Sequence, residues 1–430
     1  MGAVPELVEI VARRSGMSQG DPHLVIGGGV IGLCSAYFLA KAGHQVVLVD
    51  RDTSRRESCS DKNAGMVVPS HFIPLAAPGV VTQGLKWMLN RRSPFYLRPR
   101  LDPKLWAWCW QFLRHSNRQH VENSRELLRD LSFESRGLFE QLSADLGFSM
   151  VKRGLLMLCR SEEGLRDEAE VAAMANEIGV DAEICGPERI AELEPDVEMD
   201  VKGGIWFSQD CHLDSEQFLS ALRRGIAEAG GEFIDGEVVD FRLDEGEVTQ
   251  AITGKGEEIN VSKVILAGGA WSPELARYFG MSLPMQGGKG YSFTLSEPTE
   301  MPQLCSLLKE GRVAVTPMGK TLRVAGTMEI CGNNLSIDPV RLEGIVDSFC
   351  RFFPAFQKTD FSGLDVWSGL RPCTPDGLPY VGPIDGFANV LVATGHSMLG
   401  LSLGPVTGKW MASLASGESG DSRLDPMRFG

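Results

Sequence analysis

Segment 27–32 reads GGGVIG, which places glycines in a G-x-G-x-x-G spacing. Between a strand and a helix, Gly27 would permit a tight turn, Gly29 would let the backbone approach a pyrophosphate, and Gly32 would pack the helix on the strand. The helix N-terminus stabilises phosphate charge, and Asp50, 23 residues after Gly27, can hydrogen-bond ribose hydroxyls. The motif predicts a dinucleotide site.

Two later glycine-rich turns also follow predicted strands. A strand over 264–268 leads into a turn containing Trp271, and residues 395–400 precede a helix beginning near Pro405. That helix N-terminus would place partial positive charge beside a flavin ring, where reduction adds negative charge. A flavin enzyme needs additional segments of the chain to hold the isoalloxazine ring. The two further glycine-rich turns therefore favour FAD over a nicotinamide cofactor.

Composition excludes several other classes of protein. The net charge of −14 disfavours nucleic acid, whose phosphates would be repelled. There is no apolar run long enough for a membrane-spanning helix, and residues 1–22 lack the pattern of a signal peptide. The ten cysteines form no CxxC pair, which excludes the common zinc spacings and is typical of free thiols in a reducing cytoplasm, and we expect no metal site.

Hydrophobic periodicity gives the elements that must position these residues. Strands at 23–26 and 45–49 flank a helix that ends at Gly43, which is a β-α-β unit. Helices are predicted over 117–146 and 163–178, and Asp214 is expected to cap another. A parallel sheet covered on both faces follows from this pattern.

Together these segments resemble the D-amino acid oxidase superfamily of flavoproteins and, within it, the bacterial D-amino acid dehydrogenases. The resemblance covers 23–417 and rests on 25–32, 49–51, Ser60, 63–65, 76–79, 86–88, 289–291, 369–372, 374–377, 395–396 and 399–400.

The resemblance implies a set of residues around FAD. They are Gly27, Gly29, Val30, Ile31, Gly32, Asp50, Arg51, Ser60, Asn63, Ala64, Gly65, Met66, Val238, Ala267, Gly268, Trp271, Gly369, Gly395, His396, Leu399 and Gly400. Sarcosine oxidases attach flavin through a cysteine at the position of Gly369, and Cys373 is out of place for that bond. We therefore expect non-covalent FAD.

Arg371 is the candidate for binding the substrate. A planar guanidinium matches a carboxylate with two parallel hydrogen bonds, which would orient the α-carbon above a flavin. Several oxidases of the superfamily carry a carboxylate-binding tyrosine three residues before the position of Pro317, where this chain has Ala314. The dehydrogenases also lack that tyrosine, which favours the dehydrogenase branch. Tyr291 either substitutes for that hydroxyl or is a core aromatic residue.

Three further side chains are candidates for the substrate pocket or the flavin loop. His71 either lines the substrate pocket or is a buried structural histidine. Met398 is counted with the catalytic candidates, and His396 either contacts FAD or bonds the backbone.

The fold class implied is α+β, with a Rossmann-like α/β FAD-binding domain interleaved with a mixed-sheet substrate domain. The FAD-binding domain is expected over 20–71, 205–281 and 363–417, and the substrate domain over 72–204 and 282–362. Residues 1–19 would form an N-terminal extension.

The activity implied is oxidative deamination of a D-amino acid, with hydride passing from Cα to flavin N5 and the imine hydrolysing to a keto acid and ammonia. Alternatives are a D-proline- or hydroxyproline-like secondary-amine dehydrogenase and a glycine or sarcosine oxidase. An electron-transfer flavoprotein subunit without its own substrate is the alternative from another class.

Segment 86–106 bears on the electron acceptor. It carries six basic residues and one acid, with aromatic residues Trp87, Phe95, Tyr96 and Trp106 between them. Such a mixture is typical of protein lying on anionic lipid, although a solvated basic loop with inward-facing aromatics explains it equally well. The bacterial dehydrogenases pass electrons to the respiratory chain, so we expect a quinone or membrane carrier as acceptor and peripheral contact with the inner membrane.

Overall fold

The computed structural model describes residues 20–52, 58–88, 90 and 92–429, so the predicted N-terminal extension lies outside the described residues. The helices are α1 Val30–Lys41, α2 Val80–Met88, α3 Pro103–His115, α4 Arg118–Leu146, α5 Glu162–Glu177, α6 Pro187–Leu193, α7 Ser215–Glu228, α8 Ser272–Ala276, α9 Pro339–Phe352 and α10 Gly404–Ala415. The strands are β1 His23–Ile26, β2 Val46–Asp50, β3 Met66–Val67, β4 Phe95–Leu97, β5 Met150–Val151, β6 Leu155–Cys159, β7 Ala182–Cys185, β8 Gly203–Phe207, β9 Cys211–Leu213, β10 Glu232–Asp235, β11 Val238–Asp244, β12 Glu247–Thr253, β13 Glu258–Asn260, β14 Lys263–Leu266, β15 Gln286–Leu295, β16 Cys305–Leu308, β17 Val313–Met318, β18 Thr321–Ile330, β19 Trp367–Cys373, β20 Tyr380–Pro383 and β21 Val390–Thr394.

A six-stranded sheet contains the strands of the glycine motif. Its order is β10-β2-β1-β14-β21-β20, and all neighbours are parallel except β20 and β21. Strands β1 and β21 are buried throughout because α1, α7 and α10 cover one face and the small antiparallel sheet β11-β12-β13 covers the other. This double cover explains why these strands read as continuous apolar runs.

Glycines bring the last helix into contact with the first. A Cβ placed on Gly408 of α10 would lie 2.5 Å from the carbonyl carbon of Cys34, and one on Gly404 would lie 3.0 Å from Cγ2 of Val30. Only glycine allows the two helix backbones to approach this closely. The turn before α10 is thereby held next to the glycine motif before α1.

The second large sheet is mixed. Its order is β19-β15-β18-β17-β16-β6-β8-β7, and β4 also pairs with β18. Neighbours are antiparallel except β16 with β6 and β4 with β18. The predicted α+β class is confirmed.

Two strands of the mixed sheet come from ranges predicted for the FAD-binding domain, and the domain boundaries stay a prediction. Strand β19 and most of β8 fall within 363–417 and 205–281, which were expected to belong to the FAD-binding domain. Instead β19 pairs with β15 over seven residues in unbroken register, and β8 pairs with β6 and β7. Strand pairing depends on residues distant in sequence, so local periodicity could not reveal it.

Candidate active site

Residues of both large sheets line a cavity of about 830 Å³. The glycine motif, the end of β2 and the start of β11 border one part of it. Strands β15, β17 and β19 border another. A site for a dinucleotide and a site for a small substrate are therefore contiguous.

The three motif glycines serve different purposes. Gly27 has φ 114°, and a Cβ there would overlap the carbonyl oxygen of Ala267. A Cβ on Gly32 would overlap the carbonyl oxygen of Gly27. By contrast, a Cβ on Gly29 would meet only side-chain hydroxyls, Ser60 Oγ at 3.3 Å and Ser58 Oγ at 3.7 Å, so this glycine leaves space in the cavity rather than closing a backbone contact.

The N-terminus of α1 is open to an anion. Gly29 offers no capping side chain, and the first turn contains no acidic residue. Val30 N–H donates to Ser60 Oγ at 3.0 Å, and both residues line the cavity. No acidic residue within the first turn compensates the helix dipole, as expected where a phosphate group binds.

Charged and aromatic side chains border the neighbouring end of the cavity. The Asp50 carboxylate accepts hydrogen bonds from the backbone N–H groups of Gly28 and Asp52. Arg51 pairs with Glu237 at 3.0 Å, and its guanidinium lies 4.7 Å from the ring centre of Trp271. These contacts hold the side chains in place at the border of the cavity.

Most of the predicted cofactor residues line the cavity, namely Gly27, Gly29, Val30, Ile31, Asp50, Arg51, Ser60, Asn63, Ala64, Met66, Val238, Ala267, Gly268, Trp271, Gly369, His396 and Gly400. Gly32, Gly65, Gly395 and Leu399 do not line it, and their assignment to the cofactor stays a prediction. Gly65 and Gly395 have φ of 73° and 78° and are pressed against neighbouring residues, while Leu399 is buried in the core. Gly65 and Gly395 therefore support the backbone turns that border the cavity.

Arg371 projects from β19 into the cavity. Its guanidinium lies against Gly290, where any Cβ would collide with it, and Nη1 donates to the carbonyl oxygen of Thr327 at 3.0 Å. Thr327 sits at a β-bulge with φ 72°, which turns that carbonyl toward the arginine. No carboxylate among the described residues pairs with Arg371, so the remaining donors are available to a ligand.

Tyr291 borders the cavity, but its hydroxyl is bonded away from it, which favours the core-aromatic alternative. Tyr291 pairs with Ser368 across β15 and β19, three residues along from the Gly288–Arg371 pair, and this odd number places its side chain on the opposite face of the sheet from Arg371. Its hydroxyl donates to Glu329 Oε1 at 2.5 Å and accepts from Asp338 N–H at 3.1 Å. Tyr291 is a buried core aromatic with a satisfied hydroxyl.

The two histidines considered from sequence both line the cavity. His396 is buried, and its Nε2 bonds Thr407 Oγ1 at 2.9 Å, while Nδ1 has no partner among the described residues. Burial lowers the pKa of His396 to about 3, so its ring is neutral. His71 Nδ1 bonds Ser70 Oγ at 3.1 Å. Met398 also lines the cavity and is half exposed.

Sequence reasoning missed several cavity residues, of which three matter for chemistry. Arg312 precedes β17, is exposed, and lowers the pKa of His71 by its charge. Lys62 pairs with Glu216 at 2.6 Å. Cys59 adjoins Gly369, and burial raises the pKa of its thiol. Arg312 lies far from any motif in the sequence, whereas Cys59 and Lys62 adjoin Ser60 and Asn63, so their proximity to predicted cofactor residues was the signal that could have found them.

These features fit FAD. The open α1 N-terminus and the bare Gly29 suit a pyrophosphate, and the unpartnered Nδ1 of His396 is available for a polar ligand atom. Gly369 lines the cavity, and a Cβ at this position would overlap the Trp367 ring, so no larger residue fits there.

Similar proteins agree with this geometry. Residues 23–414 match the model of the family described as FAD dependent oxidoreductase. A D-amino acid dehydrogenase from Bradyrhizobium diazoefficiens is 33% identical over 92% of this chain and 95% of its own length. One from Vibrio atlanticus is 32% identical over 94% and 98%.

Among solved structures, glycine oxidase from Bacillus cereus superposes with a TM-score of 0.73 at 23% identity, covering 94% of this chain and 97% of its own. L-proline dehydrogenase from P. horikoshii superposes with a TM-score of 0.70 at 20% identity, covering 96% and 98%. At such identities the likeness shows a common fold. The family match and the dehydrogenase relatives go further, and this chain belongs to the FAD dependent oxidoreductase family.

Proposed function

We propose that this protein oxidises a D-amino acid at the α-carbon, with the resulting imine hydrolysing to a keto acid and ammonia. The observation that carries the proposal is Arg371, a guanidinium with free donors facing the cavity. A carboxylate clamp has no purpose in an electron-transfer subunit. The relatives named D-amino acid dehydrogenases support the choice of a D-amino acid.

The residues of this chain would bind and orient the substrate. Arg371 holds the carboxylate through parallel charged hydrogen bonds, and Thr327 fixes the guanidinium plane from behind. FAD, when bound, supplies the acceptor for the hydride that leaves Cα. Since the described residues place no acid beside Arg371, a carboxylate binds there without competition.

The test is turnover of a substrate panel by purified holoenzyme with an artificial electron acceptor. The panel contains D- and L-amino acids, glycine, sarcosine and D-proline, and the products assayed are keto acid and ammonia. Preference for D-amino acids with both products formed supports the proposal. Preference for D-proline, glycine or sarcosine would replace it by the corresponding alternative, and reduction by none of them would refute it.

We further propose a quinone or membrane carrier as electron acceptor, reached from peripheral contact with the inner membrane. No helix among the described residues is both long and apolar enough to cross a bilayer. Helix α3, however, exposes Trp106, Trp110 and Leu113 by 59, 58 and 57%, and their spacing puts them on one side of the helix. Such a face suits insertion among lipid headgroups.

The structure revises which residues of 86–106 would take part. Phe95 packs against a buried cluster, and Tyr96 lies 4.2 Å below the Arg341 guanidinium, so these two aromatics face inward. Arg92 pairs with Glu343 and Asp347, which reduces the basic charge. Arg91 lies outside the described residues. The candidate surface therefore moves to the exposed face of α3.

Co-sedimentation with anionic vesicles at low and high salt tests this proposal. Trp106→Gln with Trp110→Gln should abolish binding, while Trp206→Gln, a change of the same kind in the mixed sheet, should not. Oxygen uptake and reduction of a quinone analogue are measured in parallel. Absence of vesicle binding together with fast peroxide formation would overturn it.

A further inference from the structure

A buried acid is connected to the cavity through two side chains. Asp210, between β8 and β9, is 0% exposed. Its Oδ1 accepts from Ser70 N–H at 3.0 Å and its Oδ2 accepts from Ser70 Oγ at 2.5 Å. Ser70 Oγ is in turn 3.1 Å from His71 Nδ1, and His71 lines the cavity. The described contacts thus form an unbroken chain from a buried carboxylate to the active site.

The hydrogen-bond directions along this chain follow from counting hydrogens. Ser70 has one hydroxyl hydrogen, and the ionised Asp210 can only accept it. His71 Nδ1 must therefore carry the proton that Ser70 Oγ accepts. The neutral ring then has its lone pair on Nε2, the nitrogen left for a ligand in the cavity.

The charges around the chain favour a proton on the acid rather than on the imidazole. Burial raises the pKa of Asp210 to about 7, against the opposing effects of Ser70 and of Arg136 on α4. Burial, followed by the charge of Arg312, lowers the pKa of His71 to about 4.

Two thiols complete the surroundings of Asp210. Cys211 and Cys305 both interact with its charge, and burial raises the pKa of each thiol, so both stay protonated and neutral. They do not compete for the proton.

We propose that His71, Ser70 and Asp210 form a relay that accepts the proton which the substrate ammonium must lose before oxidation. This inference rests on the proposed amino-acid oxidation. The ammonium N–H bond breaks as His71 Nε2 takes the proton. His71 Nδ1 passes its own proton to Ser70 Oγ, and the Ser70 hydroxyl proton moves to Asp210 Oδ2. One N–H bond is lost, one O–H bond forms, and no electrons are transferred.

Reversal of the relay after product release returns the proton to solvent. A neutral buried carboxyl is the stable form of Asp210 once the proton arrives, because burial penalises its charge. Among the three, His71 alone meets the substrate, whereas Ser70 and Asp210 act through it.

The test compares pH profiles of kcat/KM for holoenzyme variants with whichever D-amino acid reduces the parent fastest. Ser70→Ala keeps the backbone bond to Asp210 but breaks the relay. Near neutral pH it should lose roughly tenfold to a hundredfold, and the acid limb of its profile should move to higher pH, where the ammonium loses its proton directly to solvent. Ser70→Thr should restore the parent profile.

Ser402→Ala is the matched control, because Ser402 is also a buried hydroxyl that bonds the neighbouring backbone, at Met66 and Val68. It should keep the parent profile. An unchanged profile in Ser70→Ala would overturn the relay while leaving amino-acid oxidation intact. If no amino acid reduces the parent enzyme, the proposed function itself fails.

A second readout needs no substrate. An acid whose folded-state pKa is raised stabilises the fold below its unfolded pKa, and this stabilisation is lost as pH rises toward about 7. Compared with Asp210→Asn, the parent should lose melting temperature between about pH 4 and 7. Parallel curves would show that Asp210 does not titrate in this range and would refute the relay.

Discussion

Replacing Arg371 by leucine should separate substrate binding from cofactor binding. Leucine retains part of the side-chain volume but removes the hydrogen bond to Thr327 and all donors to a carboxylate. Loss of a charged, paired donor set in a desolvated site costs about 3 kcal/mol, which corresponds to roughly a hundredfold decrease in kcat/KM for amino acids. The unpaired Thr327 carbonyl should cost about 1 kcal/mol of stability, so the variant still folds.

The assay compares each amino acid with the amine that lacks its carboxylate, for the parent and for the Leu variant. The amine should lose far less than the amino acid, and FAD content should be unchanged. Arg371→Lys keeps the charge without the planar fork, so it should fall between the two. Equal losses for amino acid and amine, or no loss for either, would refute the assignment of Arg371 as the carboxylate clamp.

Three other predictions follow from the site and the core. Gly29→Leu should give folded but colourless protein, because the leucine side chain enters the pyrophosphate space. Gly32→Val should fail to fold, because its Cβ overlaps the Gly27 carbonyl oxygen. FAD absorbance and circular dichroism distinguish the two outcomes, and yellow Gly29→Leu protein would contradict the phosphate assignment. Acid precipitation should release FAD from both the parent and Cys59→Ser, since burial keeps the Cys59 thiol protonated; flavin retained only in the parent would reveal a bond to Cys59. Glu194 accepts from the N–H groups of Gln303 and Leu304, and burial raises its pKa to about 7. The parent should therefore lose unfolding free energy between about pH 5 and about pH 8, while Glu194→Gln should not. Denaturant unfolding at both pH values checks this, and an equal change in unfolding free energy for the two proteins would contradict it.

Much of the dinucleotide unit was predictable because its chemistry is local. The strand predicted at 23–26 is β1, the helix predicted at 117–146 is α4, and Asp214 caps α7 through the N–H groups of Glu216 and Gln217. Glycine spacing, buried apolar runs and caps each act over a few residues. The motif is therefore readable without knowledge of the rest of the fold.

The substrate side of the cavity was predicted less well because it depends on pairing between distant segments. Tyr291 and Arg371 lie on neighbouring strands, but which face each occupies is decided by the register of β15 on β19. Ser70 and Asp210 are in contact although 140 residues separate them in the sequence. Arg312 lies even farther along the chain from His71, whose pKa it lowers. A single sequence gives no signal for such contacts.

Anaerobic reduction of the bound flavin by the two enantiomers of one α-deuterated amino acid is the sharpest test of α-carbon oxidation. The D-enantiomer should bleach the flavin in a single turnover, more slowly than its α-protonated form, and the L-enantiomer should not. Bleaching by the L-enantiomer alone would contradict the proposed stereochemistry. A flavin that no amino acid reduces would contradict the claim that this chain oxidises the α-carbon at all.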